Sequence, residues 1–325
     1  MLYLCNVITR IGEDVNEAIS LLKAGEIVAI PTETVYGLAG LATDENAIQN
    51  IFKVKQRPSS NPLILHVDSL EKIQPYVSEF PMIFKQLANE FCPGPLTFLM
   101  PKSGLVSDLI TAGNARVAVR IPNHPITLRM LQLLGKPVAA PSANLYGKLS
   151  PTLASHVLEQ LGGKIPYILD GKECAKGIES TIIGIEKNEV VIYRLGSITP
   201  EDLSRQLGYL PGLKIHADEL PTASGMVKYH YAPATSCSYY HSSLPFDATA
   251  GYLMFNEKYP EKSDENISYL SRGGDLEEAA KNLYALLHEM DGKGYSHIFI
   301  EKLPEQGIGI AINDRLNRAV AKYNK

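Results

Sequence analysis

Twice in this chain an apolar run no longer than a strand stops abruptly at a proline followed by hydroxyls and an amide or carboxylate. Ile27-Val28-Ala29-Ile30 runs into Pro31-Thr32-Glu33-Thr34-Val35-Tyr36-Gly37-Leu38, and Val138-Ala139-Ala140 runs into Pro141-Ser142-Ala143-Asn144. A continuous apolar run of this length is a strand covered on both faces, which needs helices packed against its sheet. Those helices are written beside the strands. Val15, Ala18, Ile19 and Leu22 predict an amphipathic helix over 13–24 that Gly25 ends, and the same spacing predicts helices over 47–54, 81–91, 125–134, 152–161 and 200–207. Strands are expected at 63–67, 96–100, 117–120, 167–170, 181–185 and 190–193. Alternation of this kind makes an α/β protein, and such sheets build their sites from the polar residues at strand ends.

With 325 residues the chain should hold about two domains, at roughly 150 residues each. The periodicity weakens over 208–233, where prolines surround Tyr229-His230-Tyr231-Ala232-Pro233. That stretch is expected to be a linker that closes over a site, with a first domain at 1–207 and a second at 234–325. The second part repeats the α/β pattern: strands at 236–241, 251–254, 267–270 and 297–301, a helix over 276–290 capped by Asp275, and another over 312–323. No signal segment or membrane-length apolar run is present. The four cysteines, Cys5, Cys92, Cys174 and Cys237, form no C-x-x-C pair. A reducing cytoplasm is therefore expected.

Lys53, Lys55 and Arg57 close one helix just before Pro58 and Pro62 hand the chain to a strand. This is either an anion site or a solvated helix end. Together with Arg116, Arg120 and Arg194, these cations face a set of strand-end hydroxyls and amides on Thr32, Thr34, Ser142, Asn144, Ser150, Ser180 and Thr181. Arginines grip phosphates and carboxylates bidentately, so the set suits a polyphosphate and a carboxylate. No nucleophile elbow, Walker lysine loop or H-x-x-x-H is present, and Gly307-Ile308-Gly309 lacks the third glycine of a dinucleotide fingerprint. Magnesium would arrive on a nucleotide, with no structural metal held by protein. A net charge of −4 argues against broad nucleic-acid binding, yet an RNA-binding module using a local basic surface stays open as the other reading.

Six elements in order, Pro31 to Leu38, Lys55-Gln56-Arg57 with Asn61-Pro62-Leu63, Pro93-Gly94-Pro95-Leu96-Thr97, Val119-Arg120-Ile121-Pro122, Ala140 to Asn144, and Glu179-Ser180-Thr181-Ile182, resemble the YrdC-type domain of the threonylcarbamoyl-AMP synthases. His230-Tyr231-Ala232-Pro233 and the α/β unit after it resemble the long form of that family. One departure stands in the linker, where the family's proline-glycine-methionine-lysine appears as Ser224-Gly225-Met226-Val227. The carbamoyl-transfer enzymes that share the domain carry zinc-finger cysteines and an acyl-phosphatase segment, which this chain lacks.

The resemblance implies a twisted, open, barrel-like mixed sheet with a smaller Rossmann-like second domain. It implies that L-threonine, bicarbonate and ATP give threonylcarbamoyl-adenylate and pyrophosphate, the adenylate passing to downstream tRNA-modifying proteins. Carried over by position, Thr34, His66, Arg120, the backbone at Ala140, and Ser180 match a threonine pocket. Lys55, Arg57, Asn61, Arg116, Ser142, Asn144, Ser150, Arg194 and Tyr231 match an ATP site, with Lys55 and Arg57 against the phosphates as the catalytic cations.

Overall fold

The computed structural model describes residues 7–215, 222–226, 230–243, 245–257 and 266–323. Cys5 and linker residues Val227, Lys228 and Tyr229 lie outside them. Eleven strands form one sheet: β1 Arg10–Gly12, β2 Val28–Ile30, β3 Gly37–Leu41, β4 Ile64–His66, β5 Leu96–Pro101, β6 Arg116–Arg120, β7 Val138–Ala139, β8 Tyr167–Leu169, β9 Thr181–Glu186, β10 Glu189–Arg194 and β11 Gly212–Leu213. Their spatial order is β1-β8-β2-β3-β7-β4-β6-β5-β9-β10-β11, with parallel and antiparallel neighbours mixed. Helices α1 Val15–Lys23, α2 Glu45–Lys55, α3 Met82–Phe91, α4 Asp108–Thr111, α5 Pro125–Leu134, α6 Ala154–Leu161 and α7 Pro200–Leu207 pack around it.

The local chemistry explains where these elements begin. Asp14 and Asp44 accept hydrogen bonds from the first free backbone N–H groups of α1 and α2, and Thr199 forms a capping box with Asp202 at α7. Gly25 follows α1 at φ 84°, a conformation that costs glycine nothing.

A second, all-parallel sheet joins β12 Cys237–Tyr239, β13 Gly251–Met254, β14 Ile267–Tyr269 and β15 Ile298–Ile300 in the order β12-β15-β13-β14. Helices α8 Leu276–Gly292 and α9 Ile308–Ala321 cover the face that carries Cys237, Leu253, Ile298 and Ile300. Tyr252, Met254 and Phe299 point to the opposite face and form a cluster of their own. The parallel order is Rossmann-like, with both described helices on one side.

The two sheets share a core. One continuous apolar cluster runs from Ile27 and Leu65 through Tyr231 and Cys237 to Leu283 and Ile312. The contact is close enough to restrict backbone: a Cβ at Gly177 would stand 2.4 Å from the carbonyl oxygens of Ala280 and Lys281 on α8. Among the described residues no helix is long and apolar enough to cross a membrane.

Two differences from the sequence expectation have physical causes. Strand β3, buried at all five positions, is not signalled by the sequence, because Gly37 and Gly40 weaken strand propensity. Those glycines permit close approach: a Cβ at Gly40 would meet Ile51 at 3.1 Å and Ala47 at 3.3 Å. Helix α9 starts at Ile308 instead of residue 312, with Gly307 at φ 51° turning the chain into it. Strand β11 adds residues 212–213 of the 208–233 stretch to the edge of the sheet.

His156 of α6 and His288 of α8 stack across the contact between the two halves, ring centroids 4.0 Å apart. Burial, reinforced by His288, pushes His156 from its ordinary 6.5 down to about 3, and burial lowers His288 as well, against the opposing pull of the Ser150 carbonyl and Asp291. Thr152 faces His156, and Glu159 lies 4.0 Å from His288. An unfolded histidine takes up its proton near 6.5 while these resist it, so their contribution to stability is present above that pH and lost below it. The unfolding midpoint should therefore fall as pH drops from about 6.5 to about 5, less steeply in His156→Phe. Equal acid slopes for the two proteins would contradict the assignment.

Candidate active site

A single cross-strand row organises the site. In register across five strands lie His66 of β4, Arg120 of β6, Thr97 of β5, Ile182 of β9 and Arg194 of β10. Residues paired directly across a sheet share a face, so two arginines, a histidine and a threonine are brought to one surface by backbone pairing alone. Arg194 joins the row through a β-bulge between Ile192 and Arg194, which re-aims its side chain. The segments after β2 and β7 complete the walls with Thr32, Thr34, Ala140, Pro141 and Ser142.

Every charged group in this row is buried and held. Arg194 donates from Nε to the Ser180 carbonyl and from Nη2 to Ser180 Oγ, both at 2.9 Å, and Ser180 Oγ lies 2.8 Å from Thr97 Oγ1. Arg120 donates from Nε to the Gly94 carbonyl. Its Nη2 lies 2.8 Å from Glu33 Oε1 but outside hydrogen-bonding geometry, so both atoms are buried without a hydrogen-bond partner. Burial and the neighbouring Arg120 push His66 down to about 3, so its ring is neutral. Its Nδ1 donates to the Ile64 carbonyl at 3.2 Å, which leaves Nε2 as an acceptor.

The basic stretch after α2 divides. Gln56 takes the left-handed conformation at φ 53°, turning Arg57 into the cavity. There Arg57 donates to the Asn61 carbonyl at 3.1 Å, Asn61 Oδ1 at 2.7 Å and the Pro62 carbonyl at 2.9 Å. Burial lowers Arg57 to about 10, still a cation at neutral pH. Lys55 behaves differently from expectation: its ammonium sits on the carbonyls of Ser142 at 2.5 Å and Asn144 at 2.6 Å, and it does not line the cavity. Lys53 points to solvent.

Other expected residues also support the cavity from behind. Asn144 donates to the carbonyls of Leu145 and Lys148 and accepts from Ser142 Oγ. Asn61 braces Arg57, its own Nδ2 buried and unpartnered. Ser150 donates to Glu179 at 2.6 Å. Arg116 shares the sheet face of Arg120 but lies beyond Ala118, bonded to Glu186 at 3.0 Å and to Tyr193 at 2.7 Å. It is not brought into the cavity.

The linker forms the remaining wall. Ser224, His230 and Tyr231 line the cavity; Arg57 donates to Ser224 Oγ and Arg194 to the Ser224 carbonyl. Ala223 and Met226 pack in one cluster with Ile64, Ala118 and Tyr193. What stays open between these walls is about 40 Å³.

Family models match residues 20–196, described as "Telomere recombination", and residues 198–321, described as "Threonylcarbamoyl-AMP synthase, C-terminal domain". The threonylcarbamoyl-AMP synthase of Pyrococcus abyssi is 38% identical over 98% of each chain. That of Bacillus subtilis is 36% identical over 93% of this chain and 92% of its own. The chain belongs to the threonylcarbamoyl-AMP synthases. It is of their long form, an enzyme class that makes threonylcarbamoyladenylate from ATP. The solved structure of P. abyssi Sua5 complexed with L-threonine superposes with a TM-score of 0.85, at 35% identity, covering 96% of this chain and 97% of that one.

The sequence reading missed the carboxylates of Glu33 and Glu179 and the hydroxyls of Thr97 and Ser224 as members of the site. Glu33, Thr97 and Glu179 lay inside quoted motifs without a role, and pairing a carboxylate to each buried arginine was the signal available. Lys55→Met, which removes the cation that ties the Ser142 and Asn144 carbonyls, should destabilise the chain by about 2 kcal/mol through stranded acceptors. Denaturant melts measure it. A stability equal to wild type would show that the ammonium does not hold that turn.

Proposed function

We propose that this cavity condenses L-threonine, bicarbonate and ATP to threonylcarbamoyladenylate and pyrophosphate, supplying threonylcarbamoyl for the modification of tRNA by downstream proteins in the cytoplasm. The observation that carries the reading is the buried row itself, in which Arg120, ion-paired with Glu33 through an Nη2 that makes no hydrogen bond, stands beside a neutral, accepting His66. That pair suits an amino acid, carboxylate to the arginine and amino or hydroxyl hydrogen to the histidine. Thr34, the backbone at Ala140, and Ser180 through Arg194 complete the threonine side.

Arg57, Arg194 and Ser142 take the phosphates in this account, with Asn61, Asn144, Lys55 and Ser150 fixing them in place. Arg116 and Tyr231 reach the nucleotide once the linker has shifted, which makes residues 208–233 a lid between a first domain at 1–207 and a second at 234–325. Magnesium enters as part of the nucleotide substrate, coordinated by its phosphates.

The threonine amine and bicarbonate first join as a carbamate, the new C–N bond replacing a C–O bond of bicarbonate whose oxygen leaves as water, a step that asks for positioning more than for a strong nucleophile. The carbamate oxygen then attacks the α-phosphorus, and charge develops on departing pyrophosphate. Preorganised guanidinium groups in a closed site stabilise that charge without reorganising. The same burial weighs against a nucleic-acid backbone as ligand, since Arg57, Arg120 and Arg194 are each no more than 6% exposed.

The purified chain should release pyrophosphate from ATP only when L-threonine and bicarbonate are both present; release at the same rate without threonine would refute the reading. Arg57→Ala should lower that rate by at least about a hundredfold while circular dichroism shows a native fold. An active, normally folded variant would remove Arg57 from the site. Cutting the chain near Gly208 should weaken ATP affinity, and unchanged affinity would show that the linker is no lid.

A further inference from the structure

Glu179 stands at the entry of β9, next to Ser180, and lines the cavity. A buried carboxylate beside a polyphosphate site is repulsive unless something neutralises it. The neutralising cation comes from the second sheet's layer: Arg315 of α9 donates from Nε to Glu179 Oε2 at 3.0 Å, and the side chains are 1% and 7% exposed. Tyr284 of α8 lies 3.2 Å from each Glu179 oxygen, and Ser150 Oγ donates to Oε1 at 2.6 Å.

The same guanidinium makes two further contacts. Its Nη2 donates to the Leu195 carbonyl at 2.6 Å, next to Arg194 of the row. Its Cζ lies 5.3 Å from the ring centroid of Tyr231, which lines the cavity and whose backbone is held at φ 63°. Asp314, 3.0 Å from Nη1, keeps Arg315 paired on its outer side.

The backbone around Glu179 is clamped from both halves. A Cβ at Gly177 would collide with α8, and one at Gly196 would stand 2.4 Å from the Glu179 carbonyl and the Thr181 nitrogen. The backbone that carries Glu179 therefore cannot shift to carry the carboxylate away if its cation is lost.

We propose that Arg315 and Tyr284 are positioning residues for the nucleotide: from outside the cavity they neutralise and orient Glu179 and seat Tyr231, so the ATP site is completed by the second half of the chain. This rests on the functional reading above. Because Ser150 and Tyr231, the groups they hold, belong to the nucleotide side, the effect falls on ATP binding more than on turnover.

The test is steady-state kinetics of threonine-dependent pyrophosphate release by the full chain. Arg315→Met should raise KM for ATP at least about tenfold while kcat changes less than about threefold. Glu179→Gln added to Arg315→Met should return KM to within about threefold of wild type, because the neutral amide needs no counter-cation. A KM in Arg315→Met equal to wild type, or an equally raised KM in the double variant, would overturn the proposal; the latter would mark Arg315 as merely structural. If Arg315→Met does not fold, Tyr284→Phe decides: deletion of one hydroxyl should raise KM about threefold, and an unchanged KM overturns the proposal. A wild-type chain without threonine-dependent release would overturn the functional reading, and this inference with it.

Discussion

A guanidinium taken out of water must find its oxygens inside the protein, and most of this architecture answers that requirement. Arg57, Arg120, Arg194 and Arg315 are all nearly inaccessible, and each is met by carbonyls, hydroxyls or a carboxylate from a different part of the chain. Arg57 uses the turn before β4, Arg120 the turn before β5, Arg194 the entry of β9, and Arg315 the end of β10. The positive cavity is thus also a set of cross-links between distant segments. Replacing any one arginine removes contacts that hold distant segments together, so kinetic and stability readouts have to be taken side by side.

The second half of the chain fits this logic. A tethered accessory domain would meet the first through a polar, separable surface. Here the apolar cluster is continuous, Gly177 lies against the backbone of α8, and the Glu179–Arg315 pair is sealed between the halves. Ser224 and Tyr231, from the stretch between the halves, stand in the cavity wall.

Much of the fold is legible in the sequence because its helices and central strands follow the simple periods. The polar groups after β2 and β7 were legible in the sequence because an apolar strand that ends abruptly in hydroxyls stands out, and the structure brings both segments to one cavity. Strand β3 was not legible: its glycines exist for close packing against α2, a tertiary demand that erases the local strand signal. Arg194 could be named from the resemblance, but the bulge that turns it into the row has no local mark. Lys55 was read as a phosphate cation, since a basic residue at a helix end looks free to reach outward. The structure ties it instead to two carbonyls of the turn after β7, a pairing between residues 87 and 89 positions apart. Arg315 was out of reach for the same reason, because its partner Glu179 lies 136 residues earlier.

Binding of the substrates by the cross-strand row is tested by a crystal structure of the full chain with L-threonine and a non-hydrolysable ATP analogue. The expected result is the threonine carboxylate within hydrogen-bonding distance of Arg120 Nη2, the phosphates against Arg57, and the linker displaced from the wall. Ligand density in the larger groove of about 680 Å³ between Leu195, Ile215 and α9, with the row empty and the linker in place, would contradict it.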